Sequence, residues 1–201
     1  MVQQKTPRRT QAERTQQRKE QLIREATRYF GQYGYRGARL SEIARAAGVT
    51  EPGLLHHFPS KEHLLTEVLT ERDRIDRERF DPVLHGVTGA PLPSYQELVR
   101  YNESVPGLVQ LFTVLVAESI DEQHPGHDYF MKRYQLLRQR NVPLIKSGQE
   151  RGEIRDDISA EELAVLLFAI MDGLQIQWLY EPETVHMARL FDQFVKLLEP
   201  A

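Results

Sequence analysis

The side chains best suited to chemistry lie in one short stretch, Thr50-Glu51-Pro52-Gly53-Leu54-Leu55-His56-His57. It follows an Ala47-Gly48-Val49 turn and precedes Phe58-Pro59-Ser60-Lys61. The chemistry on offer is recognition, not bond making. A hydroxyl, a carboxylate and two imidazoles on one short helix can meet base edges and phosphate oxygens, provided that the helix enters a groove ~12 Å wide at a fixed angle. Thr50 is placed to cap that helix and to reach a phosphate, either or both. Glu51 and Pro52 fall on the exposed first turn, where base edges are met in such a docking. His56 is expected outward, and His57, beside Phe58, either at DNA or half-buried. Lys61 at the next helix start and Arg39 before the preceding helix are candidate phosphate ligands, with a solvated surface as the alternative for Arg39.

These residues need rigid elements behind them. Leu22, Ala26, Tyr29, Phe30 and Tyr33 recur at three- and four-residue spacing and predict a helix over 15–33, ended by Gly34. A second helix is expected over 41–47 with Ile43 and Ala44 inward, and Gly48 supplies the left-handed turn. The third starts at Thr50, with Pro52 tolerated in its first turn. Ser60 caps a fourth, with Leu64, Leu65, Val68 and Leu69 on its buried side. Its charged continuation over 71–79 reads as solvated, with Asp73 and Arg77 one i,i+4 pair. Three helices in quick succession around a tight turn describe a helix–turn–helix head.

From Ser94 onward every segment again reads helical, and no strand pattern or repeat occurs. Helices are expected over 95–104, 107–120, 128–151 (kinked at Pro143), 159–180 and 183–198, after a loop over 86–93. Ser159-Ala-Glu-Glu162 matches a capping box. The predicted fold class is all-α, with about nine helices. Residues 1–12 read as a flexible basic arm, 13–65 as the DNA-binding head and 66–201 as a larger helical body.

Charge agrees with that division. Residues 1–65 carry twelve Lys and Arg against six acids, a net +6, so the remainder holds −9 of the total −3. A basic end suits a polyanion and an acidic body stays off it. With 40% hydrophobic and 27% charged residues, the 201-residue chain can bury a core. The absence of cysteine excludes disulfides, thiolate metal sites and cysteine nucleophiles. The longest apolar run, Leu163–Met171, is about half of what a membrane span needs, and the first residues contain no secretion signal. A cytoplasmic protein with no membrane partner is expected.

Other constellations carry little. His124-Pro-Gly-His127 with Asp128 sits on an expected turn without a defined third ligand. A di-iron bundle needs two Glu-x-x-His pairs and two further glutamates, whereas Glu183-x-x-His186 occurs once. No Gly-rich phosphate loop or nucleophile elbow is present. No metal, cofactor or enzymatic activity is expected.

Residues 22–69 resemble the DNA-binding domain of the tetracycline-repressor (TetR) family. The resemblance rests on Phe30, Gly34-Tyr35, Ile43-Ala44, Ala46-Ala47-Gly48-Val49-Thr50, Leu54-Leu55-His56-His57-Phe58 and Lys61-Glu62-x-Leu64-Leu65. It implies a homodimer that binds an operator of double-stranded DNA and answers to a small-molecule effector. Helices 159–180 and 183–198 are the candidate dimer seam. Two positions depart from the family pattern: Leu55 stands where a phosphate-reaching Tyr is usual, and Pro52 where Gly is common. Tyr101, Phe112, Glu118, Tyr134, Met171, Gln175 and Trp178, polar and aromatic groups within apolar runs, are the candidate pocket for a largely apolar molecule. The expected function is repression relieved by that molecule. The alternatives are an activator or a regulator controlled by a protein partner, and, further off, a helical-bundle metalloenzyme.

Overall fold

A computed structural model describes residues 10–81, 86 and 90–200. Among these residues the chain forms nine helices and no strand: α1 (Gln11–Gly37), α2 (Leu40–Ala46), α3 (Glu51–His57), α4 (Lys61–Phe80), α5 (Leu92–Glu103), α6 (Pro106–Glu118), α7 (His127–Glu150), α8 (Ala160–Tyr180) and α9 (Met187–Leu197).

Local sequence explains where these helices begin and end. Thr10 accepts a hydrogen bond from the Glu13 amide while the Glu13 carboxylate accepts from the Thr10 amide. This reciprocal cap starts α1 four residues before the sequence reading placed it. The expected arm over 1–12 therefore loses Gln11 and Ala12 to α1, and residues 1–9 lie outside the described residues. Gly34, at φ 68°, interrupts α1 before a last turn to Gly37. Ser60 and Ser159 cap α4 and α8 through the amides of His63 and Glu162. The last helix begins at Met187 and not at 183, because the amides of Thr184 and Val185 turn back onto the Glu181 carbonyl. Helix α7 runs through Pro143 as a single element.

The buried side chains form two clusters. One joins Leu22, Ala26 and Phe30 of α1 to Ile43, Leu54, Phe58 and the first half of α4, and extends into Leu111, Phe112 and Leu115 of α6. At the rates typical of buried Leu and Phe, each such side chain contributes about 1.5–3 kcal/mol. The second holds Tyr95, Val99, Ile145, Leu163, Leu167, Phe168 and Phe191. The head is thus packed directly on the body. A Cβ on Gly31 would stand 3.2 Å from backbone atoms of Leu111, so α1 and α6 cross closely there.

Two sequence readings need correction. The 71–79 stretch is not wholly solvated: Arg72 and Asp76 are buried. They extend the buried stripe of Leu65, Val68 and Leu69 at three- and four-residue spacing, so helical geometry carries them inward whatever their charge. Asp73 pairs with Arg133 of α7, in contact with its Nη1, and receives the Tyr129 hydroxyl, in place of the expected partner Arg77. Among the described residues, helix α8 alone is long and apolar enough to cross a membrane, by length and composition only. In the fold it buries Leu163, Leu167, Phe168 and Met171 in the centre of the body.

Candidate nucleic-acid interface and effector cavity

The α2–α3 turn is built from its backbone outward. Gly48 takes φ 69°, and the Val49 amide returns to the Ala44 carbonyl at 2.9 Å. Arg18 reaches across from α1 to the Ala47 carbonyl at 3.3 Å, a brace that nothing in its sequence context beyond its charge announced. Buried Leu54 and Phe58 fix the inner face of α3. The Thr50 hydroxyl accepts the Gly53 amide at 3.2 Å, so it caps α3 while remaining exposed.

On this frame Arg39, Thr50, Glu51, Pro52 and His56 are exposed together on the head, while Leu55 and His57 are half-buried. The His57 ring lies 5.6 Å from His56 and 6.4 Å from Phe58. Burial, then the neighbouring charges of His56, Lys19 and Arg18, hold its pKa below the ordinary histidine value. At neutral pH it therefore offers a hydrogen-bonding imidazole and not a cation. Lys61 is tethered: its ammonium donates to the Arg36 carbonyl at 3.3 Å and sits 4.8 Å from the Tyr35 ring centre. It joins the start of α4 to the end of α1.

Glu118, named as a pocket residue, stands instead at the joint between head and body. Its carboxylate accepts the Tyr35 amide at 2.6 Å, against the kink at Gly34. Arg36 pairs with Asp121 at 2.6 Å beside it. The His124 ring stacks edge-on against Tyr35 at 5.1 Å, and its Nδ1 accepts the Gly126 amide at 3.0 Å. Burial lowers the His124 pKa, partly opposed by Glu118. His127 contacts the Ser119 carbonyl through Nδ1 at 2.9 Å. These two histidines organise the α6–α7 turn.

A cavity of about 150 Å³ opens among α4, α5, α6, α7 and α8. Four of the candidate pocket residues, Phe112, Tyr134, Met171 and Gln175, line it; Tyr101, Glu118 and Trp178 do not. Tyr101 packs on Phe80, 5.3 Å between ring centres, and Trp178 is buried in the body core. Leu98, Leu137, Phe168 and Phe80 supply further apolar wall. Sequence reasoning also missed the charged part of the lining: Arg72, Asp73, Asp76, Arg77, Arg133, Asp172 and, beyond them, Arg140 with Asp81. The Arg72 guanidinium lies 3.9 Å from the Phe112 ring centre, with Arg133 at 5.3 Å. Arg140 pairs with Asp81 at 2.7 Å. The Tyr134 hydroxyl donates to Asp172, whose pKa is raised chiefly by burial.

This arrangement joins a presented helix to a helical body that contains a cavity, and both regions of the chain match known proteins. Residues 22–68 match the family described as bacterial regulatory proteins, tetR family. Residues 110–198 match the C-terminal region of BetI-type transcriptional repressors. The chain belongs to the TetR family of transcriptional regulators. It is a ligand-responsive DNA-binding regulator of the repressor type. TtgR, an HTH-type transcriptional regulator of Pseudomonas putida, is 27% identical over 87% of this chain and 86% of its own length. The HTH-type transcriptional repressor BepR of Brucella suis is 25% identical over 95% and 96% of the two chains. A transcriptional regulator from Saccharomonospora viridis, solved in complex with choline, superposes on the TetR-family regulator with a TM-score of 0.69. That pair is 25% identical, with 90% and 96% of the respective chains covered.

Proposed function

We propose that the chain acts as a cytoplasmic homodimeric repressor whose two heads, residues 13–65, occupy successive major grooves of a palindromic operator. Thr50, Glu51, Pro52 and His56 face the base edges and phosphates, His57 contributes a neutral imidazole, and Arg39 and Lys61 lie toward the backbone. Half-sites for such a dimer are spaced ~34–36 Å apart. The body, residues 66–201, supplies both the effector cavity and the dimer seam. Helix α8 exposes Val165, Leu166, Ile176 and Tyr180, and α9 exposes Leu190 and Leu197. Such an apolar face on two adjacent helices suits a two-fold seam of four helices.

The observation that carries the regulatory part of this reading is the double membership of α4. Its first half, Leu64 to Leu69, belongs to the head core. Its second half, Arg72 to Phe80, walls the cavity. Because α4 is one continuous helix, a molecule that displaces its second half at Arg72 or Asp76 passes that displacement to the head. Helix α6 offers a parallel route, from Phe112 in the cavity to Glu118 at the Tyr35 amide. To take the dimer from mostly bound to mostly released, the effector must favour the released form by about 5 kcal/mol.

Choline, bound by the Saccharomonospora relative, is not carried over. In this chain two guanidiniums already occupy the neighbourhood of Phe112, the aromatic face that a quaternary ammonium would seek. The test is a footprint of the dimer on DNA from its own promoter region. Two protected half-sites one helical turn apart, lost on effector addition, are expected. Protection of one half-site, or of none, would contradict the dimeric operator reading.

A further inference from the structure

The cavity holds polar side chains that the protein itself does not satisfy. Arg72, Asp76 and Gln175 are 6%, 8% and 4% exposed. Among the described residues, Nε and Nη1 of Arg72, Nε of Arg133, both carboxylate oxygens of Asp76 and Oε1 of Gln175 make no hydrogen bond. Arg72 and Asp76 do lie within ion-pair distance, 3.3 Å between Nη2 and Oδ2, but out of hydrogen-bond alignment. Buried donors and acceptors left this way are costly, more so when charged. Both kinds are present side by side, so a ligand with acceptors alone leaves Asp76 and Gln175 unsatisfied. One with donors alone leaves Arg72 unsatisfied.

Charge narrows the choice further. Arg72 stands against Asp76, Arg133 against Asp73, and Arg140 against Asp81. Asp172 accepts the Tyr134 hydroxyl. Counted over its whole lining, the cavity holds four arginines (Arg72, Arg77, Arg133 and Arg140) and four aspartates (Asp73, Asp76, Asp81 and Asp172), so its formal charge is balanced within the protein. A ligand with a net charge would bring an uncompensated charge into a desolvated space, which is costly. The remaining wall, Leu98, Leu137, Phe168 and Met171, is apolar, and the volume suits a molecule of few heavy atoms.

We infer that the effector is a compact molecule of no net charge whose polar end carries a hydrogen-bond acceptor and donors together, set between Arg72 and Asp76, with a short apolar tail against Phe168 and Met171. A primary amide and an α-amino acid are the two forms of this chemistry: the carbonyl or carboxylate takes the guanidinium, and the amide or ammonium hydrogens take Asp76 and Gln175. The inference rests on the reading of this cavity as the effector site.

The test uses the intact dimer and five probes of similar size: pentanamide, norvaline, pentylammonium, pentanoate and toluene. Calorimetry reads binding, and fluorescence anisotropy of labelled operator reads release. Pentanamide or norvaline should bind at least ~10-fold tighter than the three others, and Asp76→Asn and Arg72→Met should each weaken that binding ~10-fold or more. A helical circular-dichroism spectrum with a cooperative thermal melt checks that the unliganded variants fold. Equal or tighter binding of pentylammonium, pentanoate or toluene overturns the ligand class, and operator release by that probe would leave the effector reading standing. Binding of the amide or amino acid without operator release supports the ligand class and removes the effector reading. Binding of none of the five overturns the inference.

Discussion

At the level of single residues, buried charge governs this protein's body. Asp172 lies where burial raises its pKa, so the folded state binds its proton more tightly than the unfolded chain does. For an acid shifted in that direction, its contribution to stability is complete below the unfolded pKa and is lost as pH rises through the folded one. Asp172→Asn keeps an acceptor for the Tyr134 hydroxyl and removes the buried carboxylate. The variant should equal or exceed the parent in thermal stability at pH 7, with the gap closing toward pH 4; a variant clearly less stable at pH 7 would contradict this. At the head, Lys61→Ala removes a cation that lies toward the phosphate backbone whatever the base sequence, so affinity should fall almost uniformly across DNA sequences. Pro52→Arg adds a donor fork on the exposed first turn and should alter sequence preference. Binding selections on a randomised operator separate the two, and an equal change of preference in both would show that these contacts have been sorted wrongly.

At the level of elements, the joint between α1 and α6 is the least replaceable feature. A Cβ at Gly34 would lie 2.1 Å from a Glu118 carboxylate oxygen, and φ there is +68°. Gly34→Ala should destabilise the fold by about 1–3 kcal/mol, read as a lowered melting temperature, and should weaken operator binding at the same time. An unchanged melting temperature would mean that the kink is not held by Glu118. Much of this element structure was legible in the sequence. Gly48 after a helix, Thr50 and Ser60 before two others, and the Ser159–Glu162 box are local signals, and local backbone hydrogen bonds obey them. The role of Glu118 was not legible, because its partner amide is 83 residues away. Arg72 and Asp76 were legible in principle, as the continuation of the Leu65–Leu69 stripe. Their charge pointed the other way, since buried Arg and Asp are rare unless paired. The cavity walls come from five helices, and no periodicity within one helix reveals which side chains of another it will face.

At the level of the whole molecule, the fold joins a basic head, a balanced polar cavity and an apolar outer face on α8 and α9. Tyr180 is 84% exposed and Ile176 45%. Replacing both by Glu should convert the dimer to monomer in sedimentation and lower operator affinity together, because a single head gives up the second half-site. A dimer that survives the double substitution would move the seam to another face. The most direct measurement of the central claim is the affinity of the purified protein for DNA from its own promoter region, followed against salt. Binding should be far tighter than to an unrelated fragment of equal length, and log affinity should fall linearly with log salt, by about 0.9 per phosphate neutralised. Affinity that is indifferent to both sequence and salt would contradict the reading of residues 39–61 as an operator-binding surface.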